Sequence, residues 1–187
     1  MMQKDYKDKV VTIPNLMTLL RLVLIPVIVW LYCFNKDYNW TAIVLILSGI
    51  TDLIDGFVAR KFNMISDLGK IIDPIADKLT QFVVLICLLT RFSAMIVPCL
   101  ILMTKEIISG IVAMCAIKKS GKVEGADWHG KVSTFMLYAM MILHVIWFNI
   151  PFVVSNILIL LCTLMMIFSF ILYTIRNLTT YKSFIKN

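Results

Sequence analysis

The stretch Thr51-Asp-Leu-Ile-Asp-Gly-Phe-Val-Ala-Arg60, followed by Gly69-Lys-Ile-Ile-Asp-Pro-Ile-Ala-Asp77, decides how this chain is read. It places four carboxylates, Asp52, Asp55, Asp73 and Asp77, in surroundings otherwise suited to lipid. Ionisable groups at membrane depth are costly and mark function by default. Asp52 and Asp55 are three residues apart and Asp73 and Asp77 four, so each pair shares one face of a helix. Gly56 and Ala59 extend the first stripe with small residues, and Gly69 opens the second.

The rest of the chain sets the solvent. Of 187 residues, 60% are hydrophobic and the mean hydropathy is +0.91, above what a soluble domain carries. The chain reads as an all-α integral membrane protein, one membrane domain over residues 1–187 with a short polar N-terminal tail, 1–12. That tail lacks the apolar region and cleavage site of a signal peptide, so no removable leader is expected. Six apolar segments, roughly 14–34, 40–61, 71–90, 94–117, 131–149 and 152–175, are each long enough to span about 30 Å of hydrocarbon. Tryptophans 30, 40, 128 and 147 fall near their ends and suit interfacial anchoring.

The net charge of +7 is distributed as for lipid headgroups, not nucleic acid. Basic residues gather before the first segment, around the second and fourth connections, and after the sixth. The other three connections hold only Lys36 and Arg91. The positive-inside rule therefore expects both termini in the cytoplasm, with the aspartates near the cytoplasmic face of the cell membrane. The five cysteines are scattered through apolar runs without a CxxC pair, which predicts neither a disulfide framework nor a zinc site.

Four ionised carboxylates in a poorly polarisable region need compensation, since each uncompensated ion costs several kcal/mol. Two divalent cations would neutralise them. All-oxygen ligation favours Mg²⁺ or Mn²⁺, with positions left for water and phosphate. A two-metal site at a membrane surface, expected between helices 2 and 3, suits displacement at phosphorus. The same acids would also serve a small cation transporter, although transport does not require Gly56, Ala59 and Arg60 beside them.

The complete spacing is Asp52-x2-Asp55-Gly56-x2-Ala59-Arg60-x8-Gly69-x3-Asp73-x3-Asp77. It resembles the signature of the CDP-alcohol phosphotransferases, with all eight fixed positions filled. The resemblance implies six membrane helices and a CDP-linked lipid donor, usually CDP-diacylglycerol. An acceptor hydroxyl would attack the lipid-side phosphorus, and CMP would leave. It implies that Asp52, Asp55 and Asp73 bind two metal ions. Asp77 would add to that binding and take the acceptor proton. Gly56, Ala59, Arg60 and Gly69 would shape the nucleotide side. A catalytically dead relative acting as a lipid-binding scaffold is the contrasting reading, against which the intact signature stands.

The opening Ile13-Pro-Asn-Leu-Met-Thr-Leu-Leu-Arg21 is similar to the start of the bacterial phosphatidylglycerophosphate synthases, a branch of that family. That likeness would bring Asn15, Thr18 and Arg21 near the nucleotide or headgroup. The branch uses glycerol 3-phosphate, whose phosphate needs cationic partners. The candidates are Lys105, beside Glu106 in an apolar segment, and Lys131. In Gly130-Lys-Val-Ser-Thr134, Ser133 replaces the second lysine typical of the branch. The cardiolipin synthases of the superfamily, which take phosphatidylglycerol as acceptor, show a similar pattern. His129, bordering the loop, is a further residue that could touch an acceptor. The family often forms homodimers, and Gly110 and Ala113 would permit close helix contact.

Overall fold

In the computed structural model, backbone is described for residues 13–61, 67–120 and 128–185. Side chains are described within those ranges except at 13–15, 52–53, 55–61, 67–71, 111–120 and 177–185. Every described secondary-structure element is helical. Six long helices follow one another: α1 (Ile13–Val29), α2 (Tyr38–Lys61), α3 (Asp67–Leu89), α4 (Ile96–Ser120), α5 (Trp128–Ile146) and α6 (Phe152–Ile185). They correspond in order and number to the six apolar segments expected from the sequence.

Among the described residues, four stretches are long and apolar enough to cross a bilayer: Leu16–Asn35, Ser93–Gly110, Trp128–Ile146 and Phe152–Arg176. In α2 the described apolar stretch is Tyr38–Thr51. In α3, Asp73, Asp77 and Lys78 interrupt the apolar run. The two least apolar helices are the two that carry the signature.

Two compact units make up the chain. The first comprises residues 1–88 with 142–148, and the second residues 89–141 with 149–187. In the first unit, α1 continues into a π-helical turn, Trp30–Asn35, four residues beyond Pro26. Proline removes one helical donor and crowds the preceding turn, a usual origin of such irregularity. Lys36 then takes a left-handed conformation, φ 54°, and stops the helix. Asp37 starts α2: its Oδ1 accepts from the Trp40 N–H at 3.2 Å, and its carbonyl accepts from Thr41 N–H and Oγ1. That is an N-cap, worth about 1 kcal/mol. Asp37→Ala should lower the unfolding free energy by about that amount in a thermal or denaturant melt of the detergent-solubilised protein.

The two-residue connection makes α1 and α2 an antiparallel pair, and the two pack along their length. α1 also touches α3 at two heights. Thr18 Oγ1 donates to Asp73 Oδ1, and Cys33 Sγ lies 3.8 Å from Cys87 Sγ. The sequence separations are 55 and 54 residues, so α1 and α3 run parallel, in register. At the opposite end Tyr38 meets Tyr32 edge-on and Phe148 at a tilt, with ring centroids 5.3 and 4.9 Å away.

The second unit is built on α4 packed against α6. α6 shows its partition plainly. Val153, Ile157, Leu160, Leu164, Ile167, Ile171 and Ile175 form an exposed stripe, whereas Ser155, Ile159, Cys162, Met166 and Ser169 are buried. The apolar face outside and small or polar residues inside are the arrangement of a helix solvated by lipid. All four tryptophans are exposed at helix ends, as interfacial anchors would be.

Candidate active site

Aspartates 73 and 77 occupy successive turns of α3 and are both half-buried. Each is held by a neighbour. Asp73 Oδ1 accepts from Thr18 Oγ1, whose side chain is otherwise buried. Asp77 Oδ2 accepts from Gln81 Nε2 at 2.9 Å, one helical turn further on, and lies 3.7 Å from Lys78 Nζ. The latter is an ion pair without hydrogen-bond geometry. Pro74 sits between the two acids and lacks an N–H, so the Lys70 carbonyl has no helical donor from that position.

The packing supplies a common height scale. Positions equidistant from the α1–α2 turn lie level with one another, so Thr18 stands level with the backbone of Asp55, and Arg21 with that of Asp52. The parallel register of α1 and α3 puts Thr18 level with Asp73 and Arg21 within about a residue of Asp77. All four signature aspartates therefore fall within about one helical turn of one another in height, and α1 carries Thr18 and Arg21 at that height. Arg21 follows Thr18 by three residues, on the same face, and is fully buried.

Of the residues expected from sequence, the structure brings Thr18 to Asp73 and buries Arg21 at the height of the acids. The side chains of Asn15, Asp52, Asp55, Ala59 and Arg60, with Gly56 and Gly69, lie outside the described residues. So does the expected facing of the α2 and α3 acids. In the second unit, Lys105 is nearly buried on α4, and Lys131 is exposed in the first turn of α5. Ser133, the departure from the two-lysine pattern, is buried. His129 is buried too, its Nδ1 3.1 Å from Ser169 Oγ and its ring against Tyr173. Gly110 faces open space, and Ala113 lies outside the described side chains.

Two buried polar groups one helical turn beyond this band escaped sequence reading. Gln81 continues the i+4 progression Gly69, Asp73, Asp77, and Ser48 precedes Asp52 by the same step. Both are fully buried, and neither Gln81 Oε1 nor Ser48 Oγ has a hydrogen-bond partner. Extending each acidic stripe by one turn would have found them.

The family model for CDP-alcohol phosphatidyltransferase matches residues 11–175, nearly the whole chain. The chain belongs to that family. Among curated relatives of this phosphatidyltransferase-family chain is the CDP-diacylglycerol–glycerol-3-phosphate 3-phosphatidyltransferase of Rickettsia felis. It is 37% identical over 136 residues, 70% of this chain and 74% of the relative. The protein of that name from Rickettsia typhi is 38% identical over 110 residues, 57% of this chain. A cardiolipin synthase (CMP-forming) of Streptomyces coelicolor is 32% identical over 142 residues, 73% of this chain and 66% of the relative. The match spans 62% of the R. typhi relative and 61% of the one from Rickettsia prowazekii, under two thirds of each. Both enzyme types considered from the sequence thus occur among the names of these relatives.

Proposed function

We propose that this chain is a phospholipid-synthesising transferase. It moves a phosphatidyl group from CDP-diacylglycerol to an alcohol, with release of CMP. The acceptor is glycerol 3-phosphate, and the product phosphatidylglycerophosphate. The observation carrying this reading is the pair Asp73 and Asp77, on successive turns of α3, each anchored by a neutral hydrogen-bond donor, within the complete eight-position spacing. Family membership and the names of the relatives support it.

The enzyme works as a single membrane domain of six spans in the cell membrane, with both termini and the acidic band at the cytoplasmic side. Asp52, Asp55, Asp73 and Asp77 would hold two Mg²⁺ or Mn²⁺ ions. The donor chemistry fits, since carboxylate oxygens are hard ligands and Asp73 and Asp77 remain partly accessible. When bound, such ions supply charge stabilisation at the transferred phosphorus and its leaving oxygen. The protein's own groups do the rest. Thr18 fixes the rotamer of Asp73 from α1. Asp77 accepts the proton of the acceptor hydroxyl as the new P–O bond forms, which lowers the hydroxyl's basicity enough for a carboxylate to serve. Gly56, Ala59, Arg60 and Gly69, with Asn15, Thr18 and Arg21, bound the CDP side. Lys105 and Lys131 provide cations for the acceptor phosphate. As in the resemblance noted above, the working unit is a homodimer.

A second acceptor has specific support. Ser133 is buried where the glycerol 3-phosphate branch places a second lysine, which leaves Lys131 as the single cation of that motif. This favours phosphatidylglycerol, with cardiolipin as product. Proteoliposomes containing CDP-diacylglycerol and Mg²⁺ should release CMP on addition of one acceptor, supplied separately, and mass spectrometry of the lipid decides between them. With glycerol 3-phosphate, Lys131→Ala should raise KM by about tenfold, the scale of one lost charged hydrogen bond. No CMP with either acceptor would overturn the reading, and flux of divalent ions without nucleotide dependence would replace it with transport.

A further inference from the structure

Gln81 has an arrangement that packing alone does not explain. Its side chain is fully buried on α3, and its amide nitrogen donates to Asp77 Oδ2 at 2.9 Å. Only the NH₂ end of an amide can face a carboxylate, so the carbonyl end must point away. There Oε1 is buried with no hydrogen-bond partner. A membrane helix could fill this volume with leucine or methionine at no such cost, and orphaned buried polar atoms call for a reason. The cost is borne next to a signature acid, where local stability is commonly given up for function.

We propose that Gln81 is a positioning residue that orients the Asp77 carboxylate toward its divalent ion and the acceptor hydroxyl. With Oδ2 tied to Gln81, rotation about the Asp77 side chain is restricted. The carboxylate is thereby presented in one orientation instead of several. Metal-ligating carboxylates generally need such outer partners, and their loss costs about 10- to 100-fold in metal affinity. Thr18 gives Asp73 the same kind of support from α1, so Asp73 and Asp77 each have a neutral anchor. The proposal rests on the transferase reading only through the role given to Asp77.

The test compares Gln81→Met, Gln81→His and the parent protein in detergent. Three quantities are measured: Mn²⁺ binding by electron paramagnetic resonance, thermal unfolding in chelator, and CMP release. Methionine fills the space but cannot donate, whereas histidine can donate an N–H. The expectation is that Gln81→Met binds Mn²⁺ about tenfold more weakly yet melts at or above the parental temperature, because the orphaned oxygen is gone. Gln81→His should retain more of the Mn²⁺ affinity than Gln81→Met. In CMP release, the loss in Gln81→Met should fall on kcat more than on the KM for CDP-diacylglycerol. A Gln81→Met protein with parental Mn²⁺ affinity overturns the proposal. So does one that melts lower and loses metal only in proportion to the unfolded fraction, which marks a structural role. Absence of Mn²⁺ binding by the parent protein also overturns it. If the parent binds Mn²⁺ in the expected order but releases no CMP, the transferase reading fails and the positioning role stands.

Discussion

Asp73→Asn and Asp77→Asn each lower the rate of CMP release by at least roughly 10²-fold, the scale of a lost catalytic or electrostatic group. Asparagine is nearly isosteric with aspartate, and its carbonyl oxygen can still accept from Thr18 at position 73 or from Gln81 at position 77. The local hydrogen bonds seen in the structure therefore survive both substitutions. What disappears is one negative charge, together with much of the oxygen's affinity for a hard cation. At position 77 the group that takes the acceptor proton is also lost. Initial rates in proteoliposomes at saturating Mg²⁺, with melting curves to establish that the variants fold, give the measurement. Near-parental turnover in both variants would remove these carboxylates from the chemistry.

Arg21→Met is expected to have the largest effect on stability. Arg21 is completely buried, and the α1–α3 register puts it at the height of Asp77. Arg21 is buried but the acids at its height are half-buried, so removing it costs at most roughly 3–5 kcal/mol, the figure for breaking a fully buried pair. The melting temperature in chelator should drop accordingly. Added Mg²⁺ should restore part of the loss, because a cation that binds only the folded protein stabilises it by mass action. Arg21→Lys should fall between the two, since it keeps the charge without the planar fork of donors. A melting temperature unchanged by Arg21→Met, with and without Mg²⁺, would show that this guanidinium does not balance the acids.

The helical plan could be read from hydropathy because apolar runs of membrane length are separated by short charged or turn-forming segments. Lys36-Asp37 illustrates this: two polar residues between apolar runs become a left-handed stop and an N-cap. The acids were legible because carboxylates are so rare in such surroundings, and their i+3 and i+4 intervals are helical intervals. The role of α1 was harder to see. Sequence adjacency pointed to α2 and α3 as partners, whereas the contacts described for Asp73 come from Thr18, 55 residues earlier. Long-range pairing of this kind leaves no periodic trace in the chain. Gln81 was passed over because it carries no charge and stands outside the eight-position spacing. Its significance lies in burial and in an unmatched oxygen, which only coordinates reveal.

The length of α6 has a mechanical corollary. Its 34 residues reach about 51 Å at 1.5 Å each, whereas the oily slab is about 30 Å deep. In the sequence the long apolar run of α6 ends at Ile175, before Arg176 and Asn177, and the backbone stays helical for ten further residues, to Ile185. An upright α6 would thus stand some 15 Å proud of the hydrocarbon as a stiff mast, and a fluorophore fixed near its tip would report the distance to the lipid surface.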